Sequence, residues 1–234
     1  MYKLLVKYIR LLRSIIPSLI FCMRYFPLKQ ALRLPILVYK PHFLSIMGGV
    51  QIDAPKIYFG MIRLGFRTSD LYPNNGITWR NNGGTVIFKG ECIIGNDSYI
   101  ICGKKGRIEF GDNFFATGNI RIVSEIGITI GNNVLIGWGS ILLDTDFHPL
   151  YDMITNEYKK SHGAISIADN NWIAAQCFIL HSVHTGENDV FAARSIINRH
   201  ICFESNCLYG GQPIKLLCQN VRLDAKHRSI NYNE

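Results

Sequence analysis

The chain has 234 residues, of which 48% are hydrophobic, 12% aromatic and 18% charged. That is enough apolar material for a packed core, which excludes a disordered chain or a fibrous tail. Lys and Arg outnumber Asp and Glu by 25 to 17, yet the excess is confined to the N-terminal end. Lys3, Lys7, Arg10, Arg13, Arg24, Lys29, Arg33 and Lys40 all precede Asp53, the first acid of the chain. The body is therefore neutral, which argues against nucleic acid as a partner. The seven cysteines are scattered without a C-x-x-C pair, which predicts free thiols in a reducing compartment and no metal site.

In chain order, the first predicted element is an amphipathic helix over residues 2–16. Its bases recur every three or four residues, and Leu, Ile and Tyr fill the other positions. Such a helix suits the anionic headgroups of a membrane surface; packing on the protein's own body or on a neighbouring subunit is the alternative reading. The longest charge-free stretch, Ser14–Met23, is ten residues and contains Pro17. It is too short to span a bilayer and lacks a signal-cleavage pattern, so a cytoplasmic location is expected, peripheral to the membrane's inner face. Residues 24–80, interrupted by five prolines, read as an irregular lead-in with short strands at Val50–Ile52 and Lys56–Phe59. Residues 1–80 thus form an arm, residues 81–218 the main domain and residues 219–234 a tail.

The main domain is a repeat. Small residues following an aliphatic, aromatic or Thr position recur at 95, 111, 131, 168 and 186, mostly followed by Asn or Asp. Within the resulting period of about 18 a six-residue beat is evident, clearest at Ile167, Ile173, Ile179, Thr185, Phe191 and Ile197. Neither a helix nor an alternating strand has that period. It fits a short strand and a tight turn, three of which close one triangular coil. The fold expected is all-β, a parallel β-helix of hexapeptide repeats, with Gly or Asn supplying positive φ at the corners. Between Leu142 and Ile165 the beat stops. The loop 144–163 is thrown out there, with His148 near its root between acids and aromatics, where function tends to sit.

Residues 84–218 resemble the hexapeptide-repeat acyltransferase family, left-handed β-helix enzymes, and within it the bacterial capsule and surface-polysaccharide O-acetyltransferases. The resemblance rests on the Asp146-Phe147-His148-Pro149 run, the Asn171-Trp172-Ile173 segment and the closing Tyr209–Lys215 stretch, which follow in family order. It implies acetyl-CoA as donor, a homotrimer, and direct transfer of an acetyl group to a hydroxyl of a glycan or its precursor, with His148 as general base. Asp146 or Glu125 could orient that imidazole, as could a backbone carbonyl; the resemblance further implies Asn119, Asp144, Glu125 and Trp172 on the acceptor side. For the cofactor it implies Ala175 and Ala193 beside the pantetheine arm and Asn198, Arg199 and Lys215 near the adenosine phosphates. Transfer to an amine of a nucleotide-linked amino sugar or to a small acceptor, and a non-catalytic scaffold, are the alternatives. His162, His181, His184 and His200 read as solvated or capping side chains. The sequence departs from the family pattern at Ala168, at Thr185 and across Arg199–Asn206, which bears on the cofactor contacts.

Overall fold

The computed structural model describes residues 2–224, with side chains from Tyr8 onward; Met1 and residues 225–234, most of the expected tail, lie outside the described residues. Successive short strands turn through three faces and, apart from one excursion hairpin and the last strand, each pairs in parallel with the one a full coil away. The first face begins with Ile36–Val38 and Ile62–Phe66, the second with Pro41–Ile46 and Ile77–Asn81, the third with Gly49–Ile52 and Thr85–Phe88. The result is a left-handed parallel β-helix, a three-sided prism. Each strand of the prism stacks one or more side chains into the axis. Leu64, Ile94, Ala116, Ile136, Ile173, Phe191 and Tyr209 form one buried column, and Trp79, Ile100, Ile122, Leu142, Ile179 and Ile197 another.

The prism starts near residue 36, not at 81 as the beat suggested. The reason is coil length. On the first face Ile36 pairs with Ile62, Ile62 with Cys92 and Cys92 with Phe114, steps of 26, 30 and 22 residues. Beyond the excursion, Trp172 pairs with Val190 and Val190 with Leu208, two steps of 18. The early coils carry longer corners and register shifts between Phe43 and Ser45 and between Leu64 and Phe66, so no six-residue beat survives in them. Lys56–Phe59, expected as a strand, lies in one of those long corners.

Of the two residue types expected at the corners, asparagine carries the conformation along this edge: positive φ falls on Asn113, Asn133, Asn170, Asn188 and Asn206, and not on Gly111, Gly131 or Gly186. These asparagines form side-chain ladders, Asn113 to Asn133 at 2.8 Å, Asn133 to Asn170 at 3.1 Å and Asn188 to Asn206 at 3.0 Å. A short polar side chain tolerates the left-handed region, and here it also bonds its counterpart one coil away. Gly111 serves close approach instead: a Cβ there would collide with the Gly131 carbonyl of the adjacent coil.

The N-terminal helix spans Tyr2–Tyr25, through Pro17, beyond the expected 2–16. It caps the open end of the prism. Phe21 is buried against Trp79 at 5.0 Å and Phe43 at 5.6 Å between ring centroids, and the Ser18 hydroxyl accepts the Val38 N–H at 2.8 Å. A solenoid end without a cap would expose its core. Phe21→Ala is therefore expected to cost about 3–5 kcal/mol, measured as a fall in the midpoint of urea unfolding. No described helix is long and apolar enough to cross a membrane.

Candidate active site

The excursion leaves the prism after the strand Ile141–Leu143 and returns at Ile165–Ile167. Its root is closed by a ladder: Gly163 N–H to the Asp144 carbonyl at 3.0 Å, Asp146 N–H to the Ser161 carbonyl at 2.7 Å, and an antiparallel bridge between Thr145 and His162. Its tip is a hairpin of Tyr151–Asp152 against Glu157–Tyr158. The Asp152 carboxylate accepts the N–H groups of Ile154 and Thr155 and faces Lys159. Those contacts hold its pKa below the usual carboxylate range. The tip nonetheless exposes apolar side chains, Met153 at 87% and Ile154 at 92%.

His148 sits on a tight turn in this excursion. Its N–H bonds the Asp146 carbonyl at 2.7 Å across Phe147, which adopts φ 59°. This three-residue turn is strained for a non-glycine residue, and the Phe147 N–H is braced by the Thr145 hydroxyl at 3.0 Å. Pro149 follows and restricts His148 to extended backbone. The imidazole is exposed, and among the described residues no hydrogen bond or ion pair engages its ring. Both ring nitrogens are thus open to a ligand.

The expected partners of His148 are occupied elsewhere. Asp146 pairs with His181, Oδ2 to Nε2 at 3.2 Å. His181 is buried, its Nδ1 lies 3.2 Å from the Ser182 hydroxyl, and the Arg199 guanidinium stands 3.4 Å from both ring nitrogens, hence over the ring face. Arg199 also donates to the Lys160 carbonyl at 3.1 Å. This cluster ties the root of the excursion to the following coils. It engages Asp146, expected beside His148, and Arg199, expected near the adenosine phosphates. The surprise is His181, which in the sequence is one corner histidine among several; only its burial beside the root distinguishes it. Glu125 lies on the same corner with its carboxylate filling the space where Gly103 lacks a side chain, and no described bond joins it to His148.

Asp144, expected on the acceptor side, is fully buried. Its carboxylate accepts the N–H groups of Glu125, Ile126 and Gly127 at 2.9, 2.9 and 2.7 Å and the Ser124 hydroxyl at 2.8 Å. Those four bonds leave no room for a substrate hydroxyl. Asp144 instead shapes the turn one coil earlier, because a buried carboxylate is retained only where it is satisfied. Asp144→Ala would strand three N–H groups and is expected to cost about 3 kcal/mol, read from chemical denaturation. Asn119 is likewise nearly spent, donating to Asp97 at 2.6 Å and accepting from Arg121 at 2.6 Å.

The remaining residues fall on separate edges. Ala175 and Ala193 stack one coil apart at the corner before the second face, joined by the Arg194 N–H to the Ala175 carbonyl at 2.9 Å. Asn198 sits at the corner after that face and bonds the His200 N–H at 3.1 Å. Lys215 is exposed in the terminal strand Lys215–Gln219, which pairs antiparallel with Cys207–Gly210. Trp172 stands outward on the first face beside Leu135 and Val190. A single chain therefore does not assemble one pocket from all of them. Among the described residues no group of three or more His, Cys, Asp and Glu side chains is gathered to hold a metal ion.

With this prism and its one ordered excursion, the chain belongs to the hexapeptide-repeat acyltransferase family. A scan against family models finds no match. The chain is 31% identical over 150 residues to a putative acetyltransferase of Saccharomyces cerevisiae, covering 62% of this chain and 72% of that one. It is 32% identical over 110 residues to the galactoside O-acetyltransferase of Escherichia coli K12, covering 47% of this chain and 53% of that protein. The chain thus spans about half the length of the galactoside O-acetyltransferases it matches. In three dimensions it is similar in fold to the polySia-specific acetyltransferase NeuO, with a TM-score of 0.52 at 19% identity over 81% of this chain and 91% of that one.

Proposed function

We propose that the protein is an acetyl-CoA-dependent O-acetyltransferase acting on a hydroxyl of a bacterial surface glycan or its precursor, in the cytoplasm at the membrane's inner face. The observation that carries the reading is His148: an exposed imidazole, fixed by a strained turn and a following proline, with both nitrogens unengaged. Neutral imidazole accepts the hydroxyl proton as the oxygen attacks the thioester carbonyl. The carbon–sulfur bond then breaks, CoA leaves as the thiolate, and the imidazolium returns the proton to sulfur. No acyl-enzyme forms. The donor's pantetheine arm fits the smooth Ala175–Ala193 corner. Arg194, one residue on, and Lys215, both exposed, suit its phosphates.

The relatives support acetyl transfer as the chemistry, since the E. coli relative is named a galactoside O-acetyltransferase and the yeast relative a putative acetyltransferase. We further infer a homotrimer. The outward column of the first face is apolar, and the excursion tip exposes Met153 and Ile154, as an element docking on a second chain would. A cleft between chains then brings together side chains that one prism keeps on different edges.

The test is thiol release from acetyl-CoA with glycan acceptors, followed by mild base treatment of the product. An ester loses its acetyl group in base and an amide keeps it. Acetylated product that reverts in base supports the reading. A base-stable product, or no thiol release with any hydroxyl acceptor, overturns it.

A further inference from the structure

The N-terminal helix buries one side against the prism through Ser14, Ser18, Phe21 and Cys22. Its opposite side is unpartnered and apolar. Ile9, Leu12, Ile16, Ile20 and Met23 fall within an arc of about 80° at 3.6 residues per turn, and all are exposed, Leu12 at 70% and Ile16 at 72%. Met47 joins this stripe: its carbonyl accepts from Arg24 at 3.2 Å, and its side chain is 74% exposed. Soluble proteins rarely leave so continuous an apolar strip open to water. Arg13 and Arg24 project along one edge of the strip, and Lys29 and Arg33 follow at the same end of the prism, all four exposed. No acid precedes Asp53, so nothing in this part of the sequence offsets the positive rim.

We propose that this end of the prism is a docking face for an anionic lipid surface, with the apolar strip entering the headgroup–acyl boundary and the arginine and lysine rim on the phosphates. The charge selects the occupant. An apolar strip alone would suit a second copy of the chain, but two like copies would bring their cationic rims together, whereas an anionic bilayer neutralises them. The excursion leaves the second face at Ile141–Leu143, four strands beyond Pro41–Ile46, so His148 stands roughly 20 Å above the docking face at the usual strand spacing. This deepens the reading of a glycan acyltransferase by selecting acceptors held at a membrane, since the hydroxyl must stand at that height. In a threefold assembly of side-by-side prisms, three such faces would meet the same bilayer and bind with avidity.

The experiment is flotation of the full chain with phosphatidylcholine vesicles, with and without about one third phosphatidylglycerol, at low and high salt, in the absence of acetyl-CoA. Because no catalysis is measured, failure here is distinct from failure of the proposed function. The expected result is binding to the anionic vesicles, weakened by salt, and lost in the Leu12→Glu/Ile16→Glu variant. In Arg13→Gln/Lys29→Gln, which leaves the apolar strip intact, binding is expected to fall roughly fivefold for each cation removed. Two results overturn the proposal. One is wild-type protein that stays unbound on anionic vesicles. The other is a variant that binds as before while its oligomer shrinks in sedimentation, which assigns the strip to a second copy.

Discussion

His148→Ala is expected to lower kcat for acetyl transfer by about 10²–10⁴-fold, the range for loss of a general base, with stability changed by no more than about 0.5 kcal/mol. The second half follows from exposure: the side chain lies at the surface, so truncation opens no buried cavity. The first half depends on which imidazole does the work, because His148, His162 and His181 all lie at the excursion root, and of these His181 and His148 differ most in their surroundings. His181 is the one with a carboxylate partner, and on paper it is the better-oriented base. Its nitrogens are already committed, Nε2 to Asp146 and Nδ1 beside Ser182, while Arg199 covers the ring. The ring is buried as well, so an acceptor hydroxyl would have to displace one of these neighbours. His148 has both nitrogens open. The large loss of kcat should therefore fall on His148→Ala, whereas in His181→Gln loosening of the root raises KM and lowers kcat more modestly. An unchanged rate in His148→Ala with abolition in His181→Gln would transfer the role to the buried ring.

What the sequence made legible tracks how regular each coil is. From Ile94 onward the coils are close to 18–22 residues, apart from the one carrying the excursion, and their hexad beat, turn signatures and inward aliphatics could be read directly. The excursion itself was visible as a missed beat. The first coils were opaque, because their corners run long and two strands carry register shifts, which erase a fixed period without disturbing the stack. Phe21, Trp79 and Phe43 seal the prism end, but aromatic residues in a proline-rich stretch carry no periodic mark. The site was legible in its main residue and not in its surroundings. A carboxylate in a loop has the same letter whether it binds substrate or satisfies a turn. Only the four bonds to Asp144 and the pairing of Asp146 with His181 separate the two. Thr185, which breaks the aliphatic beat, turns out to place its hydroxyl on the Ala168 N–H at 2.9 Å.

The second large effect is expected from Leu135→Glu. The outward positions of the third face are mainly polar, with Gln51, Glu109, Thr129 and Ser166 in register, and Glu109 is paired with Lys89 and Arg107. Those charges, Lys89 foremost, pull the Glu109 pKa down, as befits a face turned to water. The first face runs the other way: Ile93, Phe115, Leu135, Trp172 and Leu208 lie in or near one outward column of half-buried side chains. Strands wet on their outer side alternate apolar and polar residues, so a column apolar outside as well as inside is a surface built to be covered. In the proposed trimer, a glutamate at the middle of that column would lose its hydration without gaining a partner, at a cost of several kcal/mol per site. The variant should sediment as a monomer at micromolar concentration with its β-helix circular dichroism intact. Acetyl transfer should disappear with the trimer, because the Ala175–Ala193 corner and His148 then have no opposing chain. Met153→Ser/Ile154→Ser, which alters only the exposed tip, should weaken the trimer and activity together by a smaller factor. Full activity in a monomeric Leu135→Glu protein would mean that one prism suffices, and the docking role of the hairpin tip would fall with the shared cleft.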